Sequence, residues 1–156
     1  MLESNHNTRH FVVASKLPSG ITDGFISRVV VSTLENISWV PDGDISLAFV
    51  SKQRSRIINN EFAKNNYPTD VLSFDYSQDK QASEYVGEIV ICHSIAREQA
   101  KKYKIDFKSE IALLIVHGII HLSGLDHQSE AQKASFERLQ SGILKSLDFK
   151  YHMMPW

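Results

Sequence analysis

The sequence predicts an α+β fold in one domain, residues 1–156, with a small sheet covered by helices and a metal site on a buried central helix. Three observations predict it. The chain has 156 residues, 42% hydrophobic and 22% charged, which is a globular balance with enough length for one core. Segments of strand and helix periodicity are mixed along it, and two strand segments are adjacent, as α+β order requires. One segment, 109–122, is apolar nearly all round and therefore belongs inside.

The elements follow in order. Residues 10–15 form a short β-type run. Residues 22–37 carry Phe25, Ile26, Val29, Val30, Thr33 and Leu34 at helical spacing, with Thr22 as N-cap. Pro41-Asp42-Gly43-Asp44 is a turn. In 45–50, Ile45, Leu47 and Phe49 alternate with Ser46, Ala48 and Val50, so this is a strand. Residues 52–65 form a basic helix expected to turn Ile57, Ile58 and Phe62 inward, and Pro68 ends that segment. Residues 71–76 read as a strand, 77–83 as a polar loop, and 85–92 as a strong strand in which Gly87 signals a bulge or a close backbone approach. A second basic helix spans 94–103. Ser129-Glu130-Ala131-Gln132 is a capping box. It opens a last helix with Phe136, Leu139, Ile143, Leu144 and Leu147 inward, followed by a tail, 151–156, expected to fray.

Composition excludes several classes. A single Cys92, inside an apolar run, leaves no disulfide framework and no cysteine-rich zinc site. Residues 1–10 lack the apolar core of a signal peptide, and the longest apolar stretch is too short to span a bilayer. A cytoplasmic protein without a membrane partner is expected. The net charge is −1, so bulk charge does not mark a polyanion binder. The distribution differs from the total: Arg97, Lys101, Lys104 and Lys108 recur at helical spacing with Lys102 beside them, and Lys52, Arg54, Arg56 and Lys64 form a second group. Solvated helix faces account for both groups, and beside a metal site a phosphate-tracking groove competes with that reading.

The metal site is read from His117-Gly118-Ile119-Ile120-His121-Leu122-Ser123-Gly124-Leu125-Asp126-His127. His117 and His121 stand four apart, on one face of a helix. Gly124 permits a reversal that swings His127 back to the same point. Three neutral imidazoles make a transition-metal site, most plausibly zinc, and three protein ligands leave one tetrahedral position open, as in catalytic sites. The spacing resembles that of the metzincin peptidases, whose general-base Glu follows the first His. Here that residue is Gly118, which takes no proton, so a peptidase is disfavoured.

Other residues carry open readings. Asp126 either accepts the second N–H of a ligand histidine or caps the turn. Glu88, flanked by apolar strand positions, either faces the site as a proton acceptor or faces solvent. Thr69, Asp70 and Ser73 are candidates to line a groove, although a Pro-Thr-Asp string by default caps a turn. His10 and His93 read as ordinary polar residues. Met153 and Met154 are set aside as part of the tail.

Two motifs together resemble the YbeY family of bacterial rRNA maturation factors, which are zinc-dependent endoribonucleases. One is the histidine segment above. The other is Pro68-Thr69-Asp70-Val71-Leu72-Ser73-Phe74, followed by Gly87-Glu88-Ile89-Val90-Ile91-Cys92. The resemblance implies a small mixed sheet and one Zn²⁺ per chain held by three histidines. It also implies action on single-stranded RNA rather than DNA, in 16S rRNA 3′-end maturation and quality control of the small ribosomal subunit, among that subunit's assembly factors. One departure stands out. The family carries an Arg in a Tyr-Arg-Gly-Lys-like stretch before the Pro-Thr-Asp segment, and the matching residue is Ala63, with Phe62 before it and Lys64 after it. That Arg is a candidate to hold the scissile phosphate. Lys64 or Arg56 substitutes for it, or the protein is a weaker nuclease. The expected catalytic set is therefore Glu88, Asp126 and Lys64 around the metal ligands His117, His121 and His127. The competing reading is a non-catalytic ribosome-assembly factor whose zinc is mainly structural.

Overall fold

A computed structural model describes residues 10–78 and 84–155, so the expected loop at 77–83 lies mostly outside the described residues. The order is β1 (Phe11–Val13), α1 (Asp23–Asn36), β2 (Asp44–Val50), α2 (Lys52–Ala63), β3 (Val71–Asp75), β4 (Tyr85–Cys92), α3 (His93–Tyr103), α4 (Phe107–Leu122) and α5 (Glu130–Ser146). The sheet runs β1-β2-β4-β3. β1 and β4 lie parallel to β2, and β3 pairs antiparallel with β4 at the edge. It is a small mixed sheet, and the α+β expectation is met.

Local chemistry starts the helices where the sequence places them. Thr22 Oγ1 accepts from Phe25 N at 3.1 Å, and Ser51 Oγ accepts from Arg54 N at 3.2 Å. The Ser129 capping box forms in both directions, with Gln132 Oε1 accepting from Ser129 N at 3.0 Å and Ser129 Oγ from Gln132 N at 3.1 Å. α4 begins two residues before the expected start and is buried along nearly its whole length, from Ser109 to Ile120. It forms the centre of the core, packed on α1, α3, α5 and the sheet.

Two glycines set how closely α4 lies on the sheet. A Cβ on Gly118 would stand 2.9 Å from Ile89 Cδ1, and a Cβ on Gly87 would stand 2.7 Å from Leu122 Cδ2. Gly87, Ile89 and Ile91 therefore face α4, and Glu88 and Val90 face the opposite side, because strand side chains alternate. The close approach expected at Gly87 is present, beside a register irregularity opposite Asp44 and Ile45.

α2 departs from expectation. Ile57 and Phe62 are exposed at 43% and 64%, and Ile58 is half-buried. The helix is held by polar groups instead. Ser55 Oγ donates to Thr69 O at 3.0 Å and accepts from Thr69 N at 3.0 Å, and Asn59 Nδ2 donates to Tyr67 O at 2.9 Å. Phe62 packs edge-on against Phe74 with ring centroids 5.3 Å apart. Helical periodicity of apolar residues is a poor guide here because α2 takes up the main-chain groups of Tyr67 and Thr69 in the loop beside it, and buried polar groups need partners. α2 ends at Ala63, because Lys64 takes the left-handed conformation (φ 60°).

Glycine-to-alanine substitutions in two helices should have opposite signs. Gly118→Ala drives a methyl into stiff, fully buried Ile89 and should destabilise by about 1–3 kcal/mol. Gly142→Ala in α5 meets nothing within 4 Å and should stabilise by roughly 0.5–1 kcal/mol. Urea unfolding of the two variants checks this, and equal signs would contradict the close-packing account.

Candidate metal centre

The centre is built on one stripe of α4. His117 and His121 lie one turn apart, and α4 stops just beyond them, where Gly124 at φ 100° donates its N–H to His121 O at 3.0 Å. The chain then turns back, and Asp126 Oδ1 accepts from His127 N at 2.8 Å. This brings His127 Nε2 to 2.9 Å from His121 Nε2, which is itself 3.1 Å from His117 Nε2. One ligand atom from each of the three histidines lies within 4.8 Å of the others. Nitrogens at zinc–nitrogen distance on a tetrahedron stand about 3.3 Å apart, so the three imidazoles fit a tetrahedral metal with little movement.

The surroundings favour neutral ligands. Gln140 Oε1 lies 2.9 Å from His117 Nδ1. An amide oxygen only accepts, so the proton of His117 sits on Nδ1 and its Nε2 lone pair faces the centre. Burial first, and His121 next, push the His117 imidazole down to about 3, against the hydrogen bond that it donates to Gln140. Burial and then His127 lower His121 as well, against the pull of Asp126. Phe136 of α5 backs all three rings, with centroids at 5.0, 4.9 and 5.3 Å. Gln140 and Phe136 were not singled out as site residues by sequence reasoning. Both are inward positions of α5, and only the packing of α5 on α4 shows that they face the histidines.

The open side of the centre faces two cavities that meet at His117 and Val71. One, of ≈ 440 Å³, is bounded by Thr69, Asp70, Gln99, His127 and Met154 among others. The other, of ≈ 330 Å³, is bounded by Ser73, Asp75 and His121. Together they form a groove along the free edge of β3. Asp70 O and Tyr76 N bond to β4, so Leu72 and Phe74 also bond inward, and the main-chain groups of Ser73 and Asp75 turn toward the groove.

Several sequence candidates converge here and others do not. Thr69, Asp70 and Ser73 line the groove as expected. Both Asp70 oxygens are engaged: Oδ1 accepts from Val71 N at 2.8 Å and Thr69 Oγ1 at 3.3 Å, and Oδ2 accepts from Gln99 Nε2 at 3.3 Å. Asp126 caps the turn backbone, the second of its two expected readings. Glu88 lies on the sheet face away from α4, where its Oε2 accepts from Tyr76 O–H at 3.0 Å. Strand alternation puts it behind the sheet, and it is not brought to the centre. This contact and burial hold the Tyr76 hydroxyl up at about 12, burial being the larger cause. Lys64 is exposed at the end of α2 and lines neither cavity.

For the basic stripe on α3, the solvated helix face is the reading that holds at Arg97 and Lys101. Ile95 and Gln99 border the groove. Arg97 and Lys101 follow each of them by two residues, about 200° round the helix, and so face away. The Arg97 guanidinium lies 3.8 Å from the Phe107 ring centroid and donates to Ser19 O at 3.3 Å. Lys52 pairs with Glu98 and ties α2 to α3. Lys102, three residues past Gln99, is the α3 lysine on the groove side. Met154 is 9% exposed and borders the groove, so the tail does not fray there. His152 is held by Glu110 at 2.7 Å.

Stability of the metal-stripped protein should depend on acid through His117. Its folded value of about 3 lies below the ordinary 6.5, so the unfolded chain takes up a proton that the folded chain refuses. The stabilisation is present above pH 6.5 and is lost as pH falls toward 3. It should amount to roughly 2 kcal/mol between pH 7 and pH 5, with His121 adding in the same direction. Urea midpoints should move accordingly, and His117→Gln should flatten the slope. An unchanged slope in that variant would remove His117 from the account. Separately, Gln140→Leu should weaken metal binding by roughly 10–100-fold with the fold retained, as a competitive chelator titration will read. Equal affinity would show that Gln140 does not orient its histidine.

Known proteins resemble this chain in sequence and fold. The family model described as Endoribonuclease YbeY matches residues 15–148. A protein of Alkaliphilus oremlandii with that name is 33% identical over 135 residues, covering 82% of this chain and 89% of the relative. Another of that name, from Carboxydothermus hydrogenoformans, is 39% identical over 105 residues, covering 67% and 73%. The solution structure of a Thermotoga maritima protein superposes with a TM-score of 0.59 at 20% identity, covering 88% of this chain and 91% of that one, which extends the likeness to the fold. The matched span contains the three histidines, their glutamine partner and the edge strand beside them, and the chain belongs to the YbeY endoribonuclease family.

Proposed function

We propose that the protein is a zinc-dependent endoribonuclease that cuts single-stranded RNA, working in the cytoplasm on the 3′ end of 16S rRNA within the small ribosomal subunit. The observation that carries this reading is the convergence of three Nε2 atoms at the floor of an open groove. A structural zinc needs a closed shell of four protein ligands. Among the described residues this cluster offers three.

His117, His121 and His127 would hold the metal. Zinc there supplies a Lewis acid for a phosphoryl oxygen and lowers the pKa of water toward neutrality. The remaining work belongs to the chain. Gln140 keeps the His117 proton on the far nitrogen, and Phe136 shields the rings from water on one side. The outward N–H groups of Ser73 and Asp75 are donors for phosphate oxygens of a strand laid along β3. Gly118 offers no proton acceptor and leaves no room for one beside Ile89, which argues against peptidase chemistry. No helix among the described residues is long and apolar enough to cross a membrane. The second reading, a non-catalytic ribosome-assembly factor whose zinc is mainly structural, is favoured by Ala63. That position lacks the arginine that the family resemblance implies, and Glu88 lies behind the sheet.

Purified protein should cleave a single-stranded RNA when loaded with zinc, lose the activity to a chelator and regain it on zinc addition. His121→Ala should neither hold zinc nor cleave. Lys64→Gly separates charge from fold. Glycine fits φ 60° without the cost of a Cβ, so stability should rise by up to about 1 kcal/mol, while cleavage falls if Lys64 contacts the phosphate. Ala63→Arg should raise cleavage by roughly tenfold. A wild-type protein that binds zinc and RNA and cuts nothing would favour the assembly-factor reading. Cleavage indifferent to both Lys64→Gly and Ala63→Arg would take this corner out of the site.

A further inference from the structure

Glu110 is fully buried in the most apolar helix of the protein. It stands seven residues before His117, two turns away on the same stripe of α4 that presents His117 and His121. Burial holds its carboxyl above the ordinary range, with Asp70 adding to the rise and His152 opposing it. Its Oε2 lies 2.7 Å from His152 Nε2, a side chain only 9% exposed. The other His152 nitrogen lies 3.0 Å from Met153 O. The imidazole is stacked flat on Tyr103 of α3, with centroids 3.7 Å apart at 8°. A buried ionisable pair of this kind is a poor source of stability, since apolar residues of similar size do as well or better. What it supplies is a fixed register for the segment that carries His152.

That segment is a strap, 149–155. Phe149 fastens its start, edge-on to Phe25 at 5.6 Å, with its N–H bonded to Leu144 O at 3.0 Å. The strap then crosses to α3. Met154 and Pro155 line the groove together with Pro68, Thr69, Asp70 and His127. Lys102, on the groove side of α3, sets its ammonium 5.2 Å from the Tyr103 ring. Pro155 therefore gives the groove an apolar surface for a base, and the strap behind it rests through His152 on the Tyr103 ring, near the Lys102 ammonium; apolar and aromatic surface with a cation nearby is a composition that receives single-stranded nucleic acid.

We propose that the strap 149–155 positions the RNA on the His127 side of the scissile phosphate, and that the Glu110–His152 pair is the latch that holds this wall in place. This rests on the nuclease reading above. Both are positioning residues, since neither touches the metal ligands.

The test uses the zinc-loaded full chain and a single-stranded oligonucleotide with 2′-O-methyl sugars, which binds without being cut. The one native thiol, Cys92, is 1% exposed and silent to a maleimide, so Pro155→Cys gives a single reactive site on the wall. Bound RNA should slow its alkylation several-fold and leave Val40→Cys, which is far from the groove, unprotected. The double variant Glu110→Leu/His152→Leu keeps the apolar packing and removes the latch. It should retain zinc content and melting temperature, weaken oligonucleotide binding by about tenfold, and raise KM on a cleavable RNA with little change in kcat. If RNA binds and Pro155→Cys labels at its free rate, the strap is no part of the groove and the proposal fails alone. A double variant that loses stability but binds RNA as tightly as wild type makes the latch merely structural and also overturns it. Wild-type protein that binds no RNA overturns both this proposal and the function it rests on.

Discussion

His121 Nε2 stands 3.1 Å from His117 Nε2 and 2.9 Å from His127 Nε2, with Phe136 backing the rings on one side. Lone pairs so arranged repel unless a cation or a proton lies between them. Protonation is the expensive answer, because burial and the neighbouring rings hold His117 well below the ordinary imidazole range and lower His121 as well. A divalent cation is the answer that satisfies all three nitrogens at once. The rest of the structure makes this tension possible. α4 must be buried to remove water, α5 must pack on it to bring Gln140 and Phe136, and the 123–127 turn must close to return His127. The same buried helix that stabilises the domain therefore also supplies the electrostatic condition for metal binding.

Helix-to-sheet distance is the second constraint, and it has a chemical consequence. Gly118 and Gly87 let α4 sink onto β4 until Ile89 and Leu122 occupy the space where side chains would stand. In a peptidase of similar histidine spacing the residue after the first histidine is a base. Here that vertex of the helix is pressed against the sheet. The protein exchanges a proton acceptor for close packing, and the groove is left with main-chain donors and engaged polar groups. Such a surface suits a substrate that already carries its negative charge and needs only to be placed and polarised.

The clustering of the three histidines, which could hold a metal ion, was legible in the sequence because its geometry is local: one helical turn, one glycine turn, eleven residues in all. The fold class was legible for a related reason, since periodicity reports which face of each element is covered. What could not be read was the direction in which a residue looks once elements are assembled. Glu88 sits in a motif, but strand parity puts it behind the sheet. The basic residues of α3 have helical spacing, but the groove runs past Gln99 rather than Lys101. Ile57 and Phe62 have the spacing of core residues, yet α2 docks through Ser55 and Asn59. In each case the deciding partner is distant in sequence or is a loop backbone, and no local pattern encodes it. The order of the tail at Met154 was not readable for the same reason, because His152, two residues before it, is held by Glu110, more than forty residues away.

Glu110 also shows how one rigid helix can order three functions. It shares a stripe of α4 with His117 and His121, so the strap anchor, the metal ligands and the turn that carries His127 are spaced by helix geometry alone. A displacement of α4 would move all of them together and preserve their relation to one another. The edge strand β3 is the independent partner, tied to β4 on one side and held at its start by Ser55, Asn59 and Gln99 through Thr69, Tyr67 and Asp70. The groove width is thus set between a core helix and a polar-clamped strand.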